Sequence, residues 1–126
     1  MRREPRHILL VEDDRVLRTA CEASLRRTGF AVTTAGNGQE ALDHVKTEVP
    51  DLILLDLLMP RVTGLEVLRS LRADTRTKDV PVLVLSNSSC GQDHAEINQF
   101  DIAGYLVKSN LSLQDLGDHV ARLLGD

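Results

Sequence analysis

Only two of the 126 residues are cysteines, Cys21 and Cys90, and they stand far apart, in no spacing that suits a metal cage or a redox pair. Two free thiols in a reducing compartment account for them. Basic charge is also short. Fifteen lysines and arginines against nineteen acids leave a formal net charge of -4, which argues against a general nucleic-acid or anionic-membrane surface. Long hydrophobic runs are missing as well. The apolar run 8–11 that follows Arg2, Arg3 and Arg6 is too short for a signal peptide, and no stretch is long enough to span a bilayer. The expected location is therefore cytoplasmic, with no membrane and no direct nucleic-acid partner. No linker, low-complexity tract or internal repeat divides the chain. A hydrophobic content of 42% suits a single domain over residues 1–126.

What the chain does hold is a series of short apolar runs that end on polar residues. In the stretch 51–64, DLILLDLLMPRVTG, Leu52, Ile53, Leu54 and Leu55 run without alternation and stop at Asp56. Such a run suits a strand buried on both faces, the usual state in a parallel sheet. Pro60 and Gly64 then punctuate a loop. Residues 7–11 (HILLV) read as a first strand, terminating on Glu12, Asp13 and Asp14. Residues 31–34 give a short second strand, 81–85 (PVLVL) a fourth that ends on Ser86, and 103–107 a fifth that ends on Lys108.

Helical patterns separate these runs. Asp14 suits the N-terminus of a first helix, with Val16, Leu17, Ala20, Ser24 and Leu25 on one face and Gly29 near its C-cap. Asn37 and Gly38 turn into a second helix that carries Ala41, Leu42 and Val45, and Pro50 stops its continuation. A third covers 65–73, with Leu65, Leu68 and Leu71 sharing a face. A fourth over 92–99, after the small polar segment SNSSCG, has a weak apolar stripe and is expected to be marginally held. The last covers 112–124, with Ser112 and Asp115 in capping-box form and Leu113, Leu116, Val120, Leu123 and Leu124 facing inward.

Strands alternating with helices predict an α/β fold, a doubly wound five-stranded parallel sheet with helices on both faces; right-handed crossovers leave a few arrangements, of which the flavodoxin-like order 2-1-3-4-5 is the one expected. In that order strands one and three are neighbours at the switch point, where a ligand crevice opens beyond the carboxyl ends. Glu12 and Asp13, Asp56, Ser86 and Lys108 would all reach that edge. Taken singly, Asp56 reads as a turn former or helix cap, the acid run as a solvated helix start, Ser86 as a cap and Lys108 as a surface charge. Separate structural roles do not predict that all of them meet on one edge.

Crowded carboxylates repel one another, and without compensation at least one holds a proton near neutrality. A divalent cation and Lys108 would relieve this. All-oxygen ligation with few protein donors suits magnesium, and a site so built suits phosphate. Phosphoryl transfer asks a protein for a positioned acceptor, a metal and cationic or hydrogen-bonding clamps. Asp56 can serve as acceptor, Lys108 as clamp and Ser86 as donor.

VED at 11–13, DLLMPRVTG at 56–64, LS at 85–86 and YLVK at 105–108 resemble, in order and spacing, the motifs of the receiver domain of two-component response regulators, and the likeness covers essentially the whole chain. The resemblance implies that Asp56 is the phosphorylated aspartate and that Mg2+ is held by Asp13, Asp56 and the backbone carbonyl of Leu58, with Glu12 acting through water. It implies that Lys108 pairs with the phosphoryl group, that Ser86 is the switch hydroxyl and that the Tyr105 ring follows it. Asp14 matches a position that is often acidic without being a ligand. The partners implied are a histidine kinase or phosphotransfer protein, or a small phosphodonor, and a downstream protein that reads the surface of the helix at 92–99, the fifth strand and the last helix.

The chain departs from the family pattern at Ser109, where proline usually follows the lysine, and at Asn87, where a small residue is common and whose amide would narrow access to Asp56. The Lys108–Ser109 bond is expected to be trans, because a cis bond to a non-proline residue costs about 3–4 kcal/mol. Leu58 puts an apolar side chain where no attacking water can be oriented, which predicts slow loss of the phosphoryl group. It also removes the second aspartate that an aspartate-nucleophile phosphatase needs as general acid. The competing reading is an interaction module with receiver architecture that is never phosphorylated.

Overall fold

The structure, a computed structural model, describes residues 5–57, 59, 62–86 and 100–125. The elements follow in order: β1 (His7–Val11), α1 (Arg15–Thr28), β2 (Ala31–Ala35), α2 (Gly38–Thr47), β3 (Leu52–Asp56), α3 (Gly64–Ala73), β4 (Val82–Ser86), β5 (Gly104–Val107), a 3-10 turn (Lys108–Asn110) and α4 (Leu113–Leu124). The strands form one parallel sheet in the order β2-β1-β3-β4-β5, the flavodoxin-like arrangement expected. The expected helix at 92–99, together with Leu58, Pro60, Asn87 and Cys90, lies outside the described residues.

The unbroken apolar runs have a direct structural cause. Every residue of β3 and β4 is buried, because helices cover both faces of the sheet, and the side-chain period of two sends alternate residues to opposite cores. Leu9, Val11, Ile53, Leu55, Val82 and Val84 meet Ala41, Val45, Val67, Leu68 and Leu71 of α2 and α3. Ile8, Leu10, Leu52, Leu54, Leu83 and Leu85 meet Cys21, Leu25, Leu116 and Val120 of α1 and α4. Each fully buried leucine contributes about 1.5–3 kcal/mol relative to exposure, so these two layers hold the sheet between its helices.

Helix starts follow local chemistry in three cases. The Asp14 carboxylate accepts the amides of Val16 and Leu17 at 3.0 and 3.3 Å, the Asn37 side chain accepts that of Glu40 at 2.9 Å, and Thr63 accepts that of Glu66 at 3.2 Å. Gly29 ends α1 at φ 108°, a left-handed conformation that glycine adopts without strain.

Several expectations need correction. Ser112 precedes α4 but makes no side-chain cap bond, and only its carbonyl receives the Asp115 amide. Val16 is 80% exposed, whereas Cys21, absent from the expected stripe, is fully buried. The buried stripe of α1 is Cys21, Ser24 and Leu25, rotated by the way the helix lies on the sheet. In α3 the buried set is Gly64, Val67, Leu68 and Leu71, with Leu65 only half-buried at its edge. Leu123 is 36% exposed because α4 packs through Leu116, Gly117 and Val120 against α1. Gly117 is required there, since a Cβ would collide with the Thr28 side chain. The fifth strand begins at Gly104 rather than 103. Among the described residues every peptide bond is trans, that between Lys108 and Ser109 included.

Candidate functional site

Parallel strands deliver their last residues to one edge, and here those residues carry charge. Glu12 and Asp13 follow β1, Asp56 ends β3, Ser86 ends β4, and Lys108 opens the turn after β5. Register fixes their neighbourhood: Asp56 pairs with Leu85 across β3 and β4, and Ser86 with Val107 across β4 and β5. Glu12, Asp56 and Ser86 are buried, while Asp13 is exposed at the mouth. Carboxylate oxygens of Glu12, Asp13 and Asp56 all lie within 4.8 Å of one another.

Lys108 reaches under this cluster. Its ammonium nitrogen stands 3.0 Å from Glu12 Oε1 and 3.1 Å from Asp56 Oδ2, with the lysine side chain only 18% exposed. The other Glu12 oxygen accepts the Asp14 amide at 3.0 Å. The sequence placed these residues on one edge, and the structure brings Lys108 into direct contact with two of the acids. The Asp14 carboxylate is used as the α1 cap. Tyr105 is half-buried on β5, opposite Val84, and packs against the core shared with α2 and α3.

One lysine cannot neutralise three carboxylates. Burial pushes the Asp56 carboxyl up, the neighbouring Glu12 pushes it further, and the lysine only partly offsets both, leaving Asp56 at about 7. Partial burial pulls Asp13 up too, but hydrogen bonding with Asp56 and Glu12 outweighs it and holds Asp13 below the ordinary carboxylate range. Burial would lower Lys108, yet its bonds to Glu12 and Asp56 prevail and raise it, so it stays an ammonium. The cluster thus keeps surplus negative charge beside an exposed oxygen donor. That donor set is hard and oxygen-only, and it fits a small divalent cation.

Arg18 is a participant the sequence reading missed. From the first turns of α1 its Nη1 donates to the Glu12 carbonyl at 2.8 Å, fixing the backbone from which the acids project. No local pattern announces it, because an arginine on an amphipathic helix reads as a solvated charge.

A doubly wound parallel sheet with acids and a half-buried lysine gathered at its switch point defines a domain of the CheY-like flavodoxin fold. The response regulator receiver domain model matches residues 8–121, and the chain belongs to that family, the phosphoacceptor signalling domains of two-component systems. It is similar to the response regulator MprA of Mycolicibacterium vanbaalenii, 45% identical over 82 residues that make up 65% of this chain and 35% of that protein. It therefore spans about a third of the length of the curated relatives it matches. Among solved structures it resembles the chemotaxis response regulator CheY4 of Vibrio cholerae, with TM-score 0.87 and 28% identity over 94% of this chain and 98% of that one. It also resembles the receiver domain of sensor histidine kinase PA1611 from Pseudomonas aeruginosa, with TM-score 0.86 and 30% identity over 97% and 99% of the two chains. That structure has a magnesium ion coordinated in its active-site cleft. Among the described residues no helix is long and apolar enough to cross a membrane.

Proposed function

We propose that this domain is a phosphorylation-activated switch in which Asp56 accepts a phosphoryl group from a histidine kinase, a phosphotransfer protein or a small phosphodonor. The observation that carries this reading is the Lys108 ammonium poised between Glu12 and Asp56, with Asp13 open at the mouth. Asp13, Asp56 and the Leu58 carbonyl would hold magnesium directly, and Glu12 through water. When bound, the ion screens the carboxylates and the phosphoryl oxygens from one another.

An Asp56 oxygen attacks phosphorus as the bond to the donor's leaving group breaks, and an aspartyl phosphate forms. Asp56 must be ionised to attack, and burial beside Glu12 works against this; Lys108 partly offsets it, and a cation held by Asp13 and Asp56 would supply the rest. The modified residue carries more charge and three acceptor oxygens. Lys108 pairs with them and Ser86 is drawn toward them. Tyr105 follows, and the surface around β5 and α4 shifts its population toward a partner-binding form. Leu58 gives water no hydrogen-bonding side chain, so the phosphoryl group is kept as a signal and self-dephosphorylation is slow.

Intact-mass measurement after incubation with magnesium and a small phosphodonor tests the reading. The parent gains one phosphoryl group and Asp56→Ala gains none; no gain in either would favour a module that signals by binding alone. Leu58→Asn is expected to shorten the acyl-phosphate half-life, and an unchanged half-life would remove the role given to Leu58.

A further inference from the structure

The loop between β2 and α2 carries none of the acids, yet it stands, with the ends of the elements it joins, between the loop that bears Glu12 and Asp13 and the loop that follows Asp56. On one side the Ala35 carbonyl, at the end of β2, accepts the Glu12 amide at 3.0 Å, while Arg18 holds the Glu12 carbonyl from above at 2.8 Å. Gly36 lies beside that guanidinium, where a Cβ would stand 3.3 Å from Arg18 Nη1 and 3.6 Å from Glu40 Oε1. On the other side the buried Gly38, first residue of α2, meets Val62 in the loop that follows Asp56. A Cβ on Gly38 would overlap the Val62 carbonyl oxygen and come within 2.8 Å of Val62 Cγ1 and 2.9 Å of its Cβ.

A flexible side chain could swing aside, but a backbone carbonyl cannot. Any side chain at position 38 must push the β3–α3 loop outward or lift the start of α2. That loop is anchored at its base, where the Leu57 amide donates to the Leu85 carbonyl and the Gly64 amide to the Leu57 carbonyl, both at 3.1 Å. Displacement of Val62 would therefore load the two anchors, at Gly64 and at Leu57 directly after Asp56.

We propose that the β2–α2 junction, from Ala35 to Gly38, is the abutment that sets the spacing between the loop bearing Glu12 and Asp13 and the loop that follows Asp56, with Gly38 as its positioning residue and Gly36 a lesser one. This rests on reading the acid cluster as a magnesium and phosphoryl site. Magnesium demands near-ideal octahedral geometry at short distances, and its ligands here would include Asp13, in the loop after β1, and Asp56, from which the other loop departs. A shift of a few tenths of an ångström between them is enough to weaken it.

Two measurements on the whole chain test this: calorimetric titration with magnesium chloride, and amide hydrogen exchange at Gly64 in metal-free protein. Gly38→Ala is expected to weaken magnesium roughly tenfold or more, the scale seen when outer-shell supports of a metal site are lost, and to speed Gly64 exchange. Gly36→Ala, whose clash is only with a side-chain tip, gives a smaller change in the same direction and serves if Gly38→Ala folds poorly. Gly117→Ala is the control. It clashes with Thr28 at the far end of α1, so it lowers stability and should leave magnesium affinity and Gly64 exchange unchanged. Parent-like magnesium affinity and Gly64 exchange in Gly38→Ala would overturn the proposal, as would equal weakening in Gly117→Ala. A parent chain that binds no magnesium would instead overturn the proposed function, and the exchange measurement would still decide whether Gly38 positions the loop.

Discussion

The two edges of the sheet handle polar groups in opposite ways. At the amino edge, His7 Nε2 shares a 2.7 Å hydrogen bond with the Thr33 hydroxyl, and His7 Nδ1 lies 3.2 Å from a Glu48 carboxylate oxygen. The His7 amide donates to Asp51 Oδ2 at 2.7 Å, and the Asp51 amide returns a bond to the His7 carbonyl at 2.8 Å. The His7 and Asp51 backbone groups and His7 Nε2 are hydrogen-bonded within the fold, while buried His7 Nδ1 has the exposed Glu48 carboxylate beside it without a hydrogen bond. At the carboxyl edge, three carboxylates converge on one lysine. The amino edge gathers no surplus of one charge, while the carboxyl edge holds charge that only a ligand or a proton can remove. That difference marks one edge as structural and the other as functional, because a fold selected for stability alone has no use for surplus buried charge.

The sharpest way to break the comparison is Lys108→Ala. Two buried carboxylates would lose their cation, and metal-free stability near pH 8 should fall by about 3 kcal/mol, the scale of breaking a buried pair. Denaturant unfolding in the presence of a chelator reads this directly. A loss under about 1 kcal/mol would mean that the lysine is a surface charge after all.

The pH dependence should differ next. The native Asp56 carboxyl sits at about 7 against an ordinary value of 3.8, so the folded chain holds a proton that the unfolded chain releases. Metal-free stability should therefore decline as pH rises from about 4 to about 7, and Asp56→Asn should flatten that slope. Magnesium should stabilise the parent more at pH 8 than at pH 5, because it competes with the proton. Identical pH profiles for parent and Asp56→Asn would contradict this.

At the amino edge, Asp51→Ala should cost about 2 kcal/mol by leaving the His7 amide without its charged acceptor. Magnesium affinity should stay at the parent value, and a parallel loss of it would erase the distinction between the edges. The smallest effect is expected at Ser112, which makes no side-chain cap bond. Ser112→Ala should change stability by less than about 0.5 kcal/mol, whereas Asp14→Ala, which removes a formed cap beside the acid cluster, should cost about 1 kcal/mol. Thermal melts of the two variants side by side would show it.

Much of this architecture can be read along the chain, because its determinants are local. A run such as Leu52, Ile53, Leu54 and Leu55 has few folded states other than a strand covered on both faces, and Asp56 at its end must emerge at the sheet's carboxyl edge. Runs of this kind, separated by helical patterns, called for a doubly wound parallel sheet, in which Glu12, Asp13, Asp56, Ser86 and Lys108 all fall at the carboxyl edge; which of the few allowed strand orders is used came from the structure. Asp14, Asn37 and Gly29 marked helix ends through chemistry that acts within a few residues.

Only the tertiary structure decided how each helix is rotated on the sheet, and so why Cys21 is buried while Val16 and Leu123 are not. Apolar periodicity allows neighbouring stripes, and the shape of the surface beneath selects one. Likewise the tertiary structure alone decided that Lys108 touches both Glu12 and Asp56, that Arg18 holds the Glu12 carbonyl, and that Gly38 must stay bare beneath Val62. Those contacts join residues distant in the chain at separations of a few ångströms, and a one-dimensional pattern carries no information on that scale.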